Sequence, residues 1–167
     1  MKKSPFLLLA LLVLFADQAT KWLVVGRIAF GDGIAVTSWL SIVHWRNTGG
    51  VWGIFQDLPA PLNTVLFLLL PLAGVAVLLT LFFRSTRRLD LVLLAAILGG
   101  AAGNLADRLR LGAVVDFLDF HLPGGPAWPA FNVADAVLST GIVLILLRTL
   151  FGSHEEESDA SDPVSHR

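Results

Sequence analysis

Residues 99–135 read GGAAGNLADRLRLGAVVDFLDF (Gly99–Phe120), HLPGGPAWP (His121–Pro129) and AFNVAD (Ala130–Asp135). Two apolar segments meet in this stretch. Between them they carry Asn104, Asp107, Arg108, Asp116, Asp119, Asn132 and Asp135. A polar cluster this dense, lying beside membrane-spanning segments, marks where chemistry is to be sought.

The rest of the chain supplies the membrane. Of its 167 residues 55% are hydrophobic and 15% charged, and mean hydropathy is +0.74. A soluble domain carries about 25% charged residues, so the chain reads as one integral membrane domain over residues 1–151. A net charge of −1 gives no support for nucleic-acid binding. The absence of cysteine removes disulfides, thiolate metal sites and cysteine nucleophiles together. His44, His121, His154 and His166 are scattered without ligand spacing, so no metal or cofactor is expected.

The pattern predicts four transmembrane helices, at about residues 4–26, 63–83, 90–107 and 131–151. The first follows Lys2 and Lys3 and could pass for a cleavable signal peptide. No small-residue cleavage site follows closely, and apolar character resumes at Trp22–Val25. Asp17 and Lys21 interrupt it four residues apart, on one helix face where they can pair. Residues 27–62 are Gly-rich, with β-like runs such as IAVTSWLSIVHW, and read as a small extramembrane cradle. Residues 108–130 form a second extramembrane connection. GGAAG permits close helix approach. The acidic, Ser-rich segment 152–167 reads as a disordered tail. Lys2, Lys3, Arg84–Arg88 and Arg148 share one side, which places both termini in the cytoplasm. The fold class expected is therefore an all-α polytopic membrane protein with a small extramembrane β-cradle facing outward.

With a rise of about 1.5 Å per residue, Asp17, Lys21, Asn104 and Asp107 all lie about 20–25 Å above the cytoplasmic face. Asn132 and Asp135 open the fourth span from the other side, as Asn63 and Thr64 open the second. Polar residues of all four spans thus converge on one level. Asp17 with Lys21, and Asp107 beside Arg108, read as ties between helices. Asn104 and Asn132 suit either structure or function, and Asp119 reads as a solvated loop residue. Asp116 and Asp135 remain, each in apolar surroundings. Two carboxylates in low dielectric cannot both ionise easily, so one holds a proton and the pair can act as acid and base on water. A Ser139–Lys21 dyad is a weaker rival, and a non-enzymatic transporter or assembly factor using the same aspartates is the competing class.

Five ordered motifs then carry a resemblance: D-Q-x-x-K (Asp17, Gln18, Lys21), N-T-G (Asn47–Gly49), G-G-A-x-G-N-L-x-D-R (Gly99–Arg108), V-V-D-F (Val114–Phe117) and F-N-x-A-D (Phe131–Asp135). The chain resembles the bacterial lipoprotein signal peptidases (signal peptidase II) from the first span to the fourth. The resemblance implies an aspartic endopeptidase of the inner membrane, with its small β-cradle on the periplasmic side, that needs no cofactor. Its substrate would be a diacylglyceryl-modified prolipoprotein, cut just before the lipid-bearing cysteine near the periplasmic leaflet. It implies Asp116 and Asp135 as the catalytic dyad. Asn47, Gly103, Asn104, Arg108 and Asn132 would surround substrate and dyad, with Asp17, Lys21 and Asp107 in support. It also implies contact with membrane lipids and inhibition by globomycin-type compounds. One departure is Gly50-Val51-Trp52 after N-T-G, where the family has small residues and then Phe. Trp52 is the residue expected to cover the site, with Trp128 beside it at headgroup depth.

Overall fold

The structure is a computed structural model that describes residues 2–49, 55, 58–121, 125 and 128–151. Four helices are long and apolar enough to cross a membrane: α1 (Ser4–Arg27), α2 (Ala60–Arg84), α3 (Arg88–Leu111) and α4 (Val133–Phe151). Buried residues make up 61% of the apolar window of α3, against 17%, 6% and 11% in α1, α2 and α4. The other three therefore pack around α3 and turn their apolar sides outward to lipid.

Small residues set that arrangement. A Cβ on Gly99 would collide with the Ala10 carbonyl of α1, and one on Gly103 with the Asp17 carboxylate. On the other side of α3, a Cβ on Gly100 would lie 2.9 Å from the Ala134 carbonyl oxygen of α4. Two backbones can approach α3 this closely only because these side chains are missing. Below the glycines, Phe82, Leu91, Leu94, Ala95 and Leu98 form an apolar core, with Phe6, Leu9 and Ile145 against it. In α1 the buried positions are Asp17, Lys21 and Val24, one stripe at helical spacing.

The helix bounds differ from expectation in ways the local chemistry explains. α2 starts at Ala60 rather than near residue 63, because Pro59 and Pro61 sit where helix starts accept proline. It contains a π turn, Val65–Leu69, that ends two residues before Pro71. Proline lacks the N–H that would continue the ladder, and the wider turn accommodates its ring. Lys3 donates its ammonium to the carbonyls of Phe82 and Phe83, capping the far end of α2. α3 continues past residue 107 to Leu111. Gly112, at φ +69°, closes it with an N–H to the Arg108 carbonyl at 3.0 Å. α4 begins at Val133, two residues later than expected.

The cradle is a three-stranded antiparallel sheet, β1 (Gly33–Ala35), β2 (Leu40–Asn47) and β3 (Val114–Phe120), in that order. The third strand comes from the second extramembrane connection, residues 108–130, so the sheet joins both connections rather than residues 27–62 alone. β2 and β3 pair Leu40 with Phe120 and Ile42 with Leu118, then Trp45 with Asp116 and Asn47 with Val114. Val43 and His44 therefore stand opposite Phe117 alone, a β-bulge that bends the strand. Phe117 packs with Val24 and Ile28, which seats the sheet on the end of α1.

Candidate active site

The F-N-x-A-D motif folds as a reciprocal helix cap. The Asn132 Oδ1 accepts the Asp135 N–H at 2.9 Å, and Asp135 Oδ2 accepts the Asn132 N–H at 3.2 Å. This is the capping-box geometry, which satisfies two otherwise orphaned N–H groups of α4. A third is taken by Asp17, whose Oδ1 accepts the Ala134 N–H at 2.9 Å from α1. Asp135 is thus fixed in the first turn of α4 by the same bonds that start the helix.

Asp116 arrives from β3. The Asn132 Nδ2 donates to Asp116 Oδ1 at 2.7 Å and to the Val115 carbonyl at 3.3 Å. The other Asp116 oxygen accepts Asn47 Nδ2 at 3.1 Å, across the β2–β3 pairing. Asn104 Nδ2, from α3, donates to Asp135 Oδ1 at 2.7 Å. One residue, Asn132, therefore contacts both aspartates. All four carboxylate oxygens accept an N–H from protein.

Each asparagine is oriented by a group that can only donate. Asn132 Oδ1 faces the Asp135 N–H, Asn47 Oδ1 faces the Gly49 N–H at 3.0 Å, and Asn104 Oδ1 faces Lys21 Nζ at 2.8 Å. With its oxygen so placed, an amide must turn its NH₂ the other way, toward a carboxylate.

Lys21 is fully buried and also reaches Asp17 Oδ2 and Asp107 Oδ2, both at 2.9 Å. Its three N–H donors thus meet three acceptors. Asp107 also accepts the Val115 N–H at 3.2 Å, Gln18 Nε2 at 3.1 Å and the half-exposed Arg110 at 3.3 Å. Burying two carboxylates with one ammonium is tolerable only because every oxygen is hydrogen-bonded. Gln18 belongs to the D-Q-x-x-K motif. It ties Asp17, Asp107 and the Gly103 carbonyl together at 3.1–3.2 Å. A side chain at that position makes its contacts across helices, so sequence spacing could not show them.

The expected tie through Asp107 exists, but its partners are Lys21, Gln18 and Arg110. Arg108 turns instead to the cavity that the aspartates share. That cavity is about 530 Å³ and is lined by Asn47, Asn104, Arg108, Asp116, Trp128 and Asp135, among others. Ser139 lines it too, but Lys21 has its ammonium committed elsewhere, which leaves the rival Ser–Lys dyad without its base. Asp119 lies part-exposed beside His121 at 3.6 Å, away from the cavity. Trp52 and the acidic tail lie outside the described residues. Among the described residues no group of three His, Asp or Glu could hold a metal ion.

Burial, and then the neighbouring charge of Asp135, push the Asp116 carboxyl from 3.8 up to about 7, against the pull of Asn47 and Asn132. A second carboxyl, Asp135, lines the same cavity.

The chain is similar to known proteins over most of its length. The family model described as signal peptidase (SPase) II matches residues 9–151. A lipoprotein signal peptidase of Desulforapulum autotrophicum is 38% identical over 147 residues, covering 86% of this chain and 90% of that protein. One from Francisella tularensis subsp. novicida is 33% identical over 151 residues, covering 89% and 93%. A bacterial membrane enzyme solved by the in meso method at 1.9 Å superposes with a TM-score of 0.77 at 30% identity, covering 89% of this chain and 94% of that one. A second, at 2.3 Å, gives 0.78 at 28% identity, covering 98% and 95%. With four membrane-length apolar helices and a family model matched over residues 9–151, this multi-pass membrane protein belongs to the signal peptidase II family of proteases.

Proposed function

We propose that the chain is an aspartic endopeptidase that removes signal peptides from diacylglyceryl-modified prolipoproteins, cutting just before the lipid-bearing cysteine. The observation that carries this reading is that Asn132 holds Asp116 and Asp135 together in one cavity. The dyad holds one proton at rest. Asp135 takes a proton from a water whose oxygen attacks the scissile carbonyl carbon, and Asp116 gives its proton to the carbonyl oxygen. The tetrahedral diol then passes a proton to the leaving amine, and the C–N bond breaks. A carboxylic acid and an amine leave, and the dyad keeps one proton. Arg108 at the cavity wall engages the substrate main chain, and Asn47 and Asn104 keep both carboxyls facing inward.

The position of the site suits a lipidated substrate. Each methylene withdrawn from the bilayer costs about 0.8 kcal/mol, so the enzyme has to bring carboxylates and water to the lipid's own level. The level at which α3, α4 and the sheet meet is such a place. With both termini in the cytoplasm, as the basic residues direct, the cavity opens at the periplasmic leaflet of the inner membrane. A globomycin-type inhibitor would occupy the dyad.

The test is cleavage of a diacylglyceryl-modified prolipoprotein by purified protein in detergent. Asp116→Asn and Asp135→Asn should abolish it, and Asp119→Asn should not. Turnover surviving in either dyad variant would overturn the mechanism. Inactivity of folded wild type on lipidated substrate would overturn the substrate assignment.

A further inference from the structure

The end of the bundle away from the aspartates carries a second cleft. From Asp90 to Asn104 the rise along α3 is about 21 Å, so the two cavities are separate. α2 and α4 each pack on α3, and between them lies a cleft of about 580 Å³. Its mouth is formed by Arg84, Arg87 and Arg148, with Ser85 beside them, and its walls by apolar residues including Leu81, Ile97 and Ile142. From Arg148 to Ile142 is six residues, so the apolar part runs about 9 Å into the membrane.

The charge at this end is one-sided. Lys2, Lys3, Arg84, Arg87, Arg88 and Arg148 gather there, against Asp90 alone among the described residues. Arg148 pairs with Asp90, joining α4 to α3 at the cleft. A guanidinium has five N–H donors, so one carboxylate does not exhaust it. Ser85 Oγ is buried and has no hydrogen-bond partner among the described residues. Clustered guanidiniums above a greasy slot at a membrane surface suit a group with a phosphate and acyl chains.

We propose that this cleft is a binding site for one anionic phospholipid, its phosphate held by Arg84, Arg87 and Arg148 and an acyl chain lying between α2 and α4. Two other occupants fit worse. The acidic tail supplies Glu155–Glu157 for the arginines, but residues 152–167 hold no run of apolar side chains to fill the slot. A signal-peptide segment would bring its own basic start to a basic mouth.

Native mass spectrometry of the full chain in nonionic detergent tests this, with phosphatidylglycerol and phosphatidylcholine of matched acyl chains as probes. One phosphatidylglycerol should bind per chain at least tenfold more tightly than phosphatidylcholine. That preference should vanish in Arg84→Gln/Arg87→Gln, which removes charge. Affinity should fall at least tenfold in Ile142→Trp, which fills the slot. Unchanged thermal unfolding midpoints and prolipoprotein cleavage would show both variants folded, and a site-independent readout keeps this test separate from the protease assignment. Equal binding of the two lipids, or a preference surviving either variant, would overturn the site. Displacement of the lipid by millimolar inorganic phosphate would reduce it to a headgroup contact and overturn the acyl-chain assignment. Binding seen only after truncation following Gly152 would make the tail the occupant instead.

Discussion

Lys21 Nζ lies 2.8 Å from Asn104 Oδ1, and this contact decides that the Asn104 amide presents its NH₂ to Asp135. A residue of the first helix thereby sets the geometry of a carboxylate on the fourth without touching it. Lys21→Met should leave Asp17 as a buried carboxylate without its cation and Asp107 with only the exposed Arg110, at a cost of about 3–5 kcal/mol. Thermal unfolding in detergent would register the loss. In protein kept folded at low temperature, kcat should fall with KM little changed, because Lys21 positions and does not bind. An unchanged kcat would sever the link between Lys21 and Asp135.

Asn132 combines a cap with a bridge, and the two can be separated. Asn132→Ser keeps an oxygen for the Asp135 N–H but cannot also donate to Asp116 Oδ1 and the Val115 carbonyl. Leaving buried acceptors unpaired costs about 1–3 kcal/mol. Asn132→Ala loses the cap as well, about 1 kcal/mol more. Stability should fall in the order Asn, Ser, Ala, while cleavage falls to a similar degree in both, on the order of 100-fold. Activity tracking the cap rather than the bridge would contradict the assignment.

The Asp116 carboxyl, raised to about 7, makes stability and activity depend on pH in a stated direction. Between about 4 and 7 the folded protein holds this proton and the unfolded chain has released it. Unfolding free energy should therefore fall as pH rises through this window, by a few kcal/mol at most, and level off above it. Asp116→Asn should flatten that slope. Cleavage should decline above about pH 7 as the dyad loses its shared proton. Unfolding midpoints from pH 4 to 9, with cleavage rates alongside, check both.

The glycines of α3 should not be equivalent to Gly141 of α4. A Cβ on Gly100 meets a backbone carbonyl at 2.9 Å, which cannot step aside without moving the start of α4. A Cβ on Gly141 meets Ile97 Cγ1 at 2.6 Å and Cδ1 at 3.0 Å, side-chain atoms rather than a backbone carbonyl. Gly100→Ala should cost about 1–3 kcal/mol and reduce cleavage by displacing Asp135. Gly141→Ala should do less on both counts. Gly103→Ala should behave like Gly100→Ala, since its Cβ would push Asp17 off Lys21 and off the Ala134 N–H. Unfolding midpoints and turnover of the three variants decide this.

Much of the molecule was legible in the sequence because a membrane allows few solutions. Apolar length fixed the number of spans, since only helices can hide their own backbone groups in lipid. The depth count placed Asp17, Lys21, Asn104 and Asp107 on one level, and the structure joins them in one network. Asp116 and Asp135 stand out in the sequence by their apolar neighbours, and both line one cavity in the structure. What the sequence could not decide is which partner each polar group takes. Gln18 lies next to Asp17 in the chain yet reaches Asp107 on another helix. Asp107 neighbours Arg108 but pairs with Lys21 and Arg110. The residues after Gly112 read as a connection and become the third strand, because an αL glycine turns them back onto β2. Hydrophobicity is a property of each residue and survives in a string of letters. Hydrogen-bond partnership belongs to pairs whose distance is set by how the helices pack, so only the tertiary structure could assign it.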